Sequence, residues 1–195
     1  MKKPEEQFWE WFKKKSNQFY YFEKNQSTLF QSLKTELDKI DPNLVFEFSP
    51  ILEDGKREFV ISADGIRESF PSVINLANNA PNMDLWKIVA FRQPKKEVSQ
   101  ITYENLNIKL DDIFFKYGKN NGKIDLELNI RGFQESPEWT AAVFIILDNV
   151  LGEYDTEMNL SYIDKKELDE KEVNSLFPIT DLPKIIHNYK LEYSN

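Results

Sequence analysis

The hydrophobic positions change period along the chain, and the changes mark its elements. Phe8, Trp11, Phe12 and Phe19 recur near helical spacing after Pro4, a residue well tolerated in a first helical turn. Leu29, Phe30, Leu33, Leu37 and Ile40 form the stripe of a second helix over residues 27–40. Asp41-Pro42 stops it, because the residue before a proline is pushed out of the α region. The period then drops to two. Leu44, Phe46 and Phe48 alternate with Val45, Glu47 and Ser49, and beyond an Asp54-Gly55 turn Phe59, Ile61 and Ala63 share one face of a return strand. A helix is expected over residues 69–79. Residues 85–91 are apolar on both faces, the pattern of a central strand covered on two sides.

The same succession follows again 67 positions further on. Gly55 and Gly65 recur as Gly122 and Gly132, Lys56 as Lys123, and Glu68-Ser69 as Glu135-Ser136. Residues 113–117 and 123–131 read as a hairpin about Asn121-Gly122. Ile124, Leu126, Leu128 and Ile130 face inward, and Asp125, Glu127 and Asn129 outward. Ser136-Pro137-Glu138 opens an apolar helix to residue 151, and Met158, Leu160 and Tyr162 mark a last strand.

The expected fold class is α+β, a largely antiparallel sheet of six or seven strands built from two β-β-α-β pseudo-repeats, residues 44–92 and 113–163. Residues 1–41 add two N-terminal helices. Residues 93–112 form a connection with one short strand at 106–110, and 164–195 a charged loop and a short C-terminal helix. Residues 1–195 suit a single domain, or two small halves fused into one.

Charge changes the list of partners. A formal net charge of −8 works against binding a nucleic-acid backbone and favours a basic protein partner. With no cysteine, disulfides and thiolate metal sites are excluded. The longest apolar run, residues 141–147, is far short of a membrane span, and residues 1–12 have no apolar leader segment, so a cytoplasmic protein without a membrane partner is expected. Composition fixes no oligomeric state.

Candidate chemistry is sparse. The single histidine, His187, sits beside Ile185, Ile186 and Tyr189, and no Gly-x-Ser-x-Gly elbow offers it a nucleophile. No phosphate-binding glycine loop occurs, and no cofactor is expected. Glu153, Asp155 and Glu157 could hold a hard cation, but their alternation also fits the exposed edge of a strand; Asp125 and Glu127 read the same way. The crowded aromatics Phe8 to Phe22, interleaved with lysines, could stack on bases or enter a membrane interface, though a helix docking its aromatic face on the sheet accounts for them.

The four arginines carry more. Arg57 opens a strand, Arg67 follows the Gly65 loop, and Arg92 and Arg131 each end a strand. Arg67 and Arg131 fall in corresponding strand-to-helix loops, where backbone N–H groups and a guanidinium together suit an anion. Arg92 leaves the expected central strand. Pairing with surface acids is the plainer role for all of them.

The stretches Phe8-Trp9-x-Trp11-Phe12, Lys56 to Ile66, Ala90-Phe91-Arg92-Gln93-Pro94 and Leu151-Gly152-Glu153-Tyr154-Asp155 resemble a family of uncharacterised bacterial proteins, a domain of unknown function. The resemblance spans most of the chain. It implies a bacterial, cytoplasmic, single-domain protein and carries over no activity, cofactor or site residue.

Two functions follow as expectations. The first is a non-enzymatic, acidic protein-binding module of immunity or adaptor type. The alternative is a binder of, or enzyme on, an anionic small molecule at the junction of the repeats, with a pocket lined by Arg92, Arg67 and Arg131 and by Trp86 or Trp139.

Overall fold

In the computed structural model, which describes residues 2–95 and 97–193, helix α1 (Pro4–Tyr20) opens with proline in its first turn and buries Phe8, Trp9, Phe12, Phe19 and Tyr20. Helix α2 (Gln26–Asp38) buries Leu29, Leu33 and Leu37 at spacing four, then ends ahead of Asp41-Pro42. Strands β1 (Val45–Phe48), β2 (Arg57–Ser62) and β3 (Trp86–Ala90) follow, with helix α3 (Phe70–Asn78) between the last two. β1 and β2 pair antiparallel, as a hairpin-like return requires, and β2 and β3 pair parallel across the helix. Phe59, Ile61 and Ala63 are fully buried along one face of β2. The aromatics of α1 close over that face: the Phe59 ring lies 5.0 Å from Phe12 and 5.9 Å from Trp9, and the Trp9 indole N–H donates to the Leu76 carbonyl of α3 at 2.8 Å. Apart from the exposed Tyr21, the aromatic amino terminus is therefore buried or half-buried, and its large apolar area goes to seating α1 on the sheet.

The second succession repeats that topology. β6 (Ile113–Asn120) and β7 (Lys123–Ile130) form an antiparallel hairpin about Asn121-Gly122, helix α4 (Pro137–Leu151) crosses over, and β8 (Leu160–Glu167) returns parallel to β7. Ser136 caps α4, its hydroxyl accepting from the Trp139 N–H at 3.3 Å. Ile124, Leu126, Leu128 and Ile130 of β7 meet Ala142, Val143 and Ile146 of α4 and Ile186 of helix α6 (Leu182–Tyr193). The strand order β1-β2-β3 of the first repeat matches β6-β7-β8 of the second, antiparallel then parallel in each.

Four expectations need correction. The repeats do not feed one sheet: the ladders form sheets of three, two and four strands, because each repeat satisfies its own pairing through a hairpin and a crossover. β3 is not central. Among the described residues it pairs only with β2, whose other edge β1 already holds, so its apolar residues report burial and not a place in the middle of the sheet. The connection contains a hairpin of β4 (Gln100–Tyr103) and β5 (Leu106–Lys109), turned through Glu104 at φ 49. Glu153, Asp155 and Glu157 lie on a short helix, α5 (Glu153–Asn159), inserted before β8 and separated from α4 by Gly152 at φ 81. A two-residue strand, β9 (Phe177–Pro178), adds to the outer edge of β6.

The chain divides into two compact units, Met1–Arg92 and Gln93–Asn195. The fold is α+β, with two N-terminal helices in the first unit. Among the described residues no helix is long and apolar enough to cross a membrane.

Candidate functional site

Each repeat ends its parallel strand pair in an ion pair. Arg92, just past β3, donates from Nε to Glu47 of β1 at 2.5 Å and from Nη2 to Asp64, in the turn that leaves β2, at 2.6 Å. Arg131, in the turn that leaves β7, donates to both oxygens of Glu170 at 2.6 and 3.0 Å and to Asp112. Burial works against the Arg92 charge, but the bonds to Glu47 and Asp64 outweigh it and raise its pKa. Bonds to Glu170 and Asp112 raise that of Arg131, and the pairing in turn lowers Glu170. An anion approaching either guanidinium meets carboxylates already in place.

The remaining candidates are placed as follows. Arg67 is exposed in the 3-10 turn Arg67–Ser69 that leads into α3. Trp86 is buried at the start of β3, packed 4.8 Å from Phe48 and 5.3 Å from Phe12. It sits at the opposite end of the strand from Arg92, about 20 Å away at about 3.3 Å per residue, so the two do not share a pocket. Trp139 is buried in the first turn of α4, edge-on to Phe133 at 5.4 Å, at the same end of the second unit as Arg131.

Arg57 is the arginine that pattern reading underrated. It is 3% exposed, lies 5.5 Å from the Tyr20 ring and 4.7 Å from the Phe22 ring, donates to the Ser49 carbonyl at 2.7 Å, and ion-pairs with Glu23. The period of two held the signal, since position 57 shares its face with Phe59, Ile61 and Ala63.

His187 is exposed on α6, at the edge of a cavity of about 150 Å³ floored by Val150, Leu151 and Ile186; there Lys190 donates to Asp155 at 2.8 Å. Among the described residues no three of His, Asp and Glu are placed to hold a metal ion. On the second sheet, the face opposite α4 and α6 carries Asp125 and Glu127. Hydrogen bonds from the Ser161 hydroxyl and the Asn120 amide lower the Asp125 pKa. Burial pushes Glu127 up, but Lys166 and Lys116 hold it below the ordinary value. Asn129, expected outward in solvent, is fully buried, its amide donating back to Glu127 at 3.4 Å.

Charge is shared unevenly between the units. The first holds 13 lysines and arginines against 14 acids, and the second 12 against 19. No family model matches the chain, and no curated protein or solved structure matches it either.

Proposed function

We propose that this is a non-enzymatic protein-binding module, of the kind that serves as an immunity or adaptor protein, and that its second unit receives a basic partner. The observation that carries the reading is the uneven charge: 19 acids against 12 bases in the second unit, beside near balance in the first. Charge of one sign on one compact unit steers an oppositely charged protein and disfavours others. Topology adds local density. Where β7 and β8 finish and β6 begins, three neighbouring segments bring Asp111, Asp112, Glu167, Asp169, Glu170 and Glu172 to one end of the sheet. Acids spread over such a rim suit a protein surface better than a small ligand.

The test is copurification with a tagged chain from its native cells at about 50 mM salt, then a wash at about 500 mM, where the Debye length falls well below 10 Å. A specific partner of high isoelectric point, released by the wash and not captured by the Asp111→Asn, Asp169→Asn, Glu172→Gln variant, is the expected result. A neutral or acidic partner, or capture indifferent to both changes, overturns the reading.

A further inference from the structure

We infer that the second sheet carries a socket for one cationic side chain of the partner, fitted best by arginine, on the face opposite α4 and α6. The inference rests on the reading that the second unit receives a basic protein, and it names the contact.

The first observation is a glycine the fold does not need. Five of the six glycines take φ between 75 and 81, which explains them; Gly118 does not, and a Cβ built on it meets nothing within 4 Å. It lies within the eight-residue strand β6, where glycine weakens pairing and where close approach of a ligand is one setting that calls for it. The second observation is what lies beside it. Across the strands Gly118 is opposite Asp125, and Asp125 is opposite Tyr162, which is 62% exposed. Asp164 follows on the same face of β8, and together with Glu127 and its partner Lys116 these groups border a depression of about 290 Å³.

The third observation is charge. Glu127 is already held by Lys116 at 3.1 Å and Lys166 at 2.9 Å. Among the described residues Asp125 accepts only from neutral groups, the Ser161 hydroxyl and the Asn120 amide, and Asp164 accepts from the Lys165 N–H at 2.9 Å. Neither is within ion-pairing distance of a cation among the described residues. Two carboxylates, an exposed ring and an empty position suit a planar guanidinium, which forks to carboxylates and lies on aromatic faces, better than a compact ammonium. The volume suits a single side chain, being at or below the range of about 300–1,000 Å³ typical of small-molecule sites.

Fluorescence anisotropy of a labelled hexa-arginine peptide against the full chain at about 50 mM salt tests this, with hexa-lysine as comparison. Hexa-arginine should bind more tightly than hexa-lysine. Gly118→Leu, which fills the depression and changes no charge, should weaken hexa-arginine about tenfold, and Tyr162→Ala about threefold. Wild-type affinity in both variants, with binding still sensitive to salt, overturns the socket and leaves the acidic-unit reading standing. No binding of hexa-arginine at low salt overturns both. Circular dichroism checks that Gly118→Leu folds; should it not, Tyr162→Ala decides, because that side chain projects from the surface.

Discussion

Asp64 and Arg131 stand at the same position of the two repeats, 67 residues apart, and take opposite roles in two equivalent ion pairs, Asp64 as the acid that holds Arg92 and Arg131 as the base that holds Glu170. In the first repeat the acid is in the turn after β2 and the arginine follows β3; in the second the arginine is in the turn after β7 and the acid follows β8. Parallel strands that end side by side bring the two following loops within reach, so either arrangement serves. Backbone geometry accounts for the choice. Ala63-Asp64-Gly65-Ile66 and Ile130-Arg131-Gly132-Phe133 close alike, the fourth N–H donating to the first carbonyl at 2.9 and 3.2 Å. Asp64 takes φ 47 and Gly65 φ 77, whereas in the second turn only Gly132, at φ 80, is left-handed. Aspartate tolerates that region better than arginine does.

Replacing Asp64 therefore separates conformation from charge. Asp64→Asn keeps a residue suited to positive φ and loses only the pair, and should cost about 1 kcal/mol or less, as should Arg92→Ala, since both groups are partly solvated. Asp64→Ala should cost about 1 kcal/mol more than Asp64→Asn, from the left-handed backbone. Urea denaturation of the three variants measures the differences; equal losses for Asn and Ala would remove the conformational account.

Arg57 should behave unlike the other arginines. Its guanidinium is buried between two rings, and truncation leaves a cavity together with an unmatched Ser49 carbonyl. Arg57→Ala should cost about 3 kcal/mol, and Arg57→Met clearly less, because the apolar stem and its packing survive. Glu23→Gln should change little, since the Glu23 side chain is 57% exposed. Chemical denaturation ranks the three, and a small effect of Arg57→Ala would show that the charge is not needed to seat α1.

These cases show how far pattern reading reaches. Periods of 3.6 and 2 located α1 to α4, the β6-β7 hairpin and the duplicated β-β-α-β order, because those elements bury one face and must alternate. β4 leaves no signal in the sequence, since Gln100–Tyr103 is too short to show a period and only Ile101 of it is buried. Glu153, Asp155 and Glu157 alternate at the helix-to-strand junction, which also fits a strand edge, because α5 is too short for its sequence to distinguish the periods. The arginines stood out by type, but their partners are 19 to 45 residues distant, or more nearly 28 and 39 for Asp64 and Glu170, and only the strand ends bring them together. The charge split falls at the boundary after Arg92, where the first repeat was expected to end, but that residues 93–112 group with the second unit is visible only in the folded chain.

Acid should weaken the link between α2 and β1. Burial works to raise the Asp41 pKa, but the Asn43 N–H, the hydroxyls of Ser69 and Ser72 and the Lys34 charge outweigh it, so the folded-state value lies below the unfolded one. A lowered carboxyl pKa contributes stability that is present above the unfolded value, about 4, and is lost as pH falls through the folded value. Wild type should therefore lose stability below about pH 4 more steeply than Asp41→Asn, which has no such proton to bind. Thermal midpoints from pH 7 to pH 2 give the slopes, and parallel curves would show that Asp41 contributes nothing to them.

The last prediction sets two glycines of one hairpin against each other. Gly122, at φ 81, is in the turn between β6 and β7; its N–H donates to the Tyr189 hydroxyl at 3.2 Å, and a Cβ there would lie 2.7 Å from the Tyr193 ring. Gly122→Ala should cost about 1 kcal/mol from the positive φ alone, and should also push the Tyr193 ring aside, since that ring is 63% exposed. Gly118 has neither constraint, and alanine there should be neutral or stabilise by up to about 1 kcal/mol, through a less flexible unfolded chain and a better strand former. Removing the ring with Tyr193→Ala should leave most of the Gly122→Ala cost in place, because strain and not collision sets it. Urea denaturation of the single variants and of the Gly122→Ala, Tyr193→Ala double variant gives the comparison. Recovery of full stability in the double variant would put the cost in the collision instead, and a destabilising Gly118→Ala would mean that β6 itself requires the glycine, removing the main ground for a socket above it.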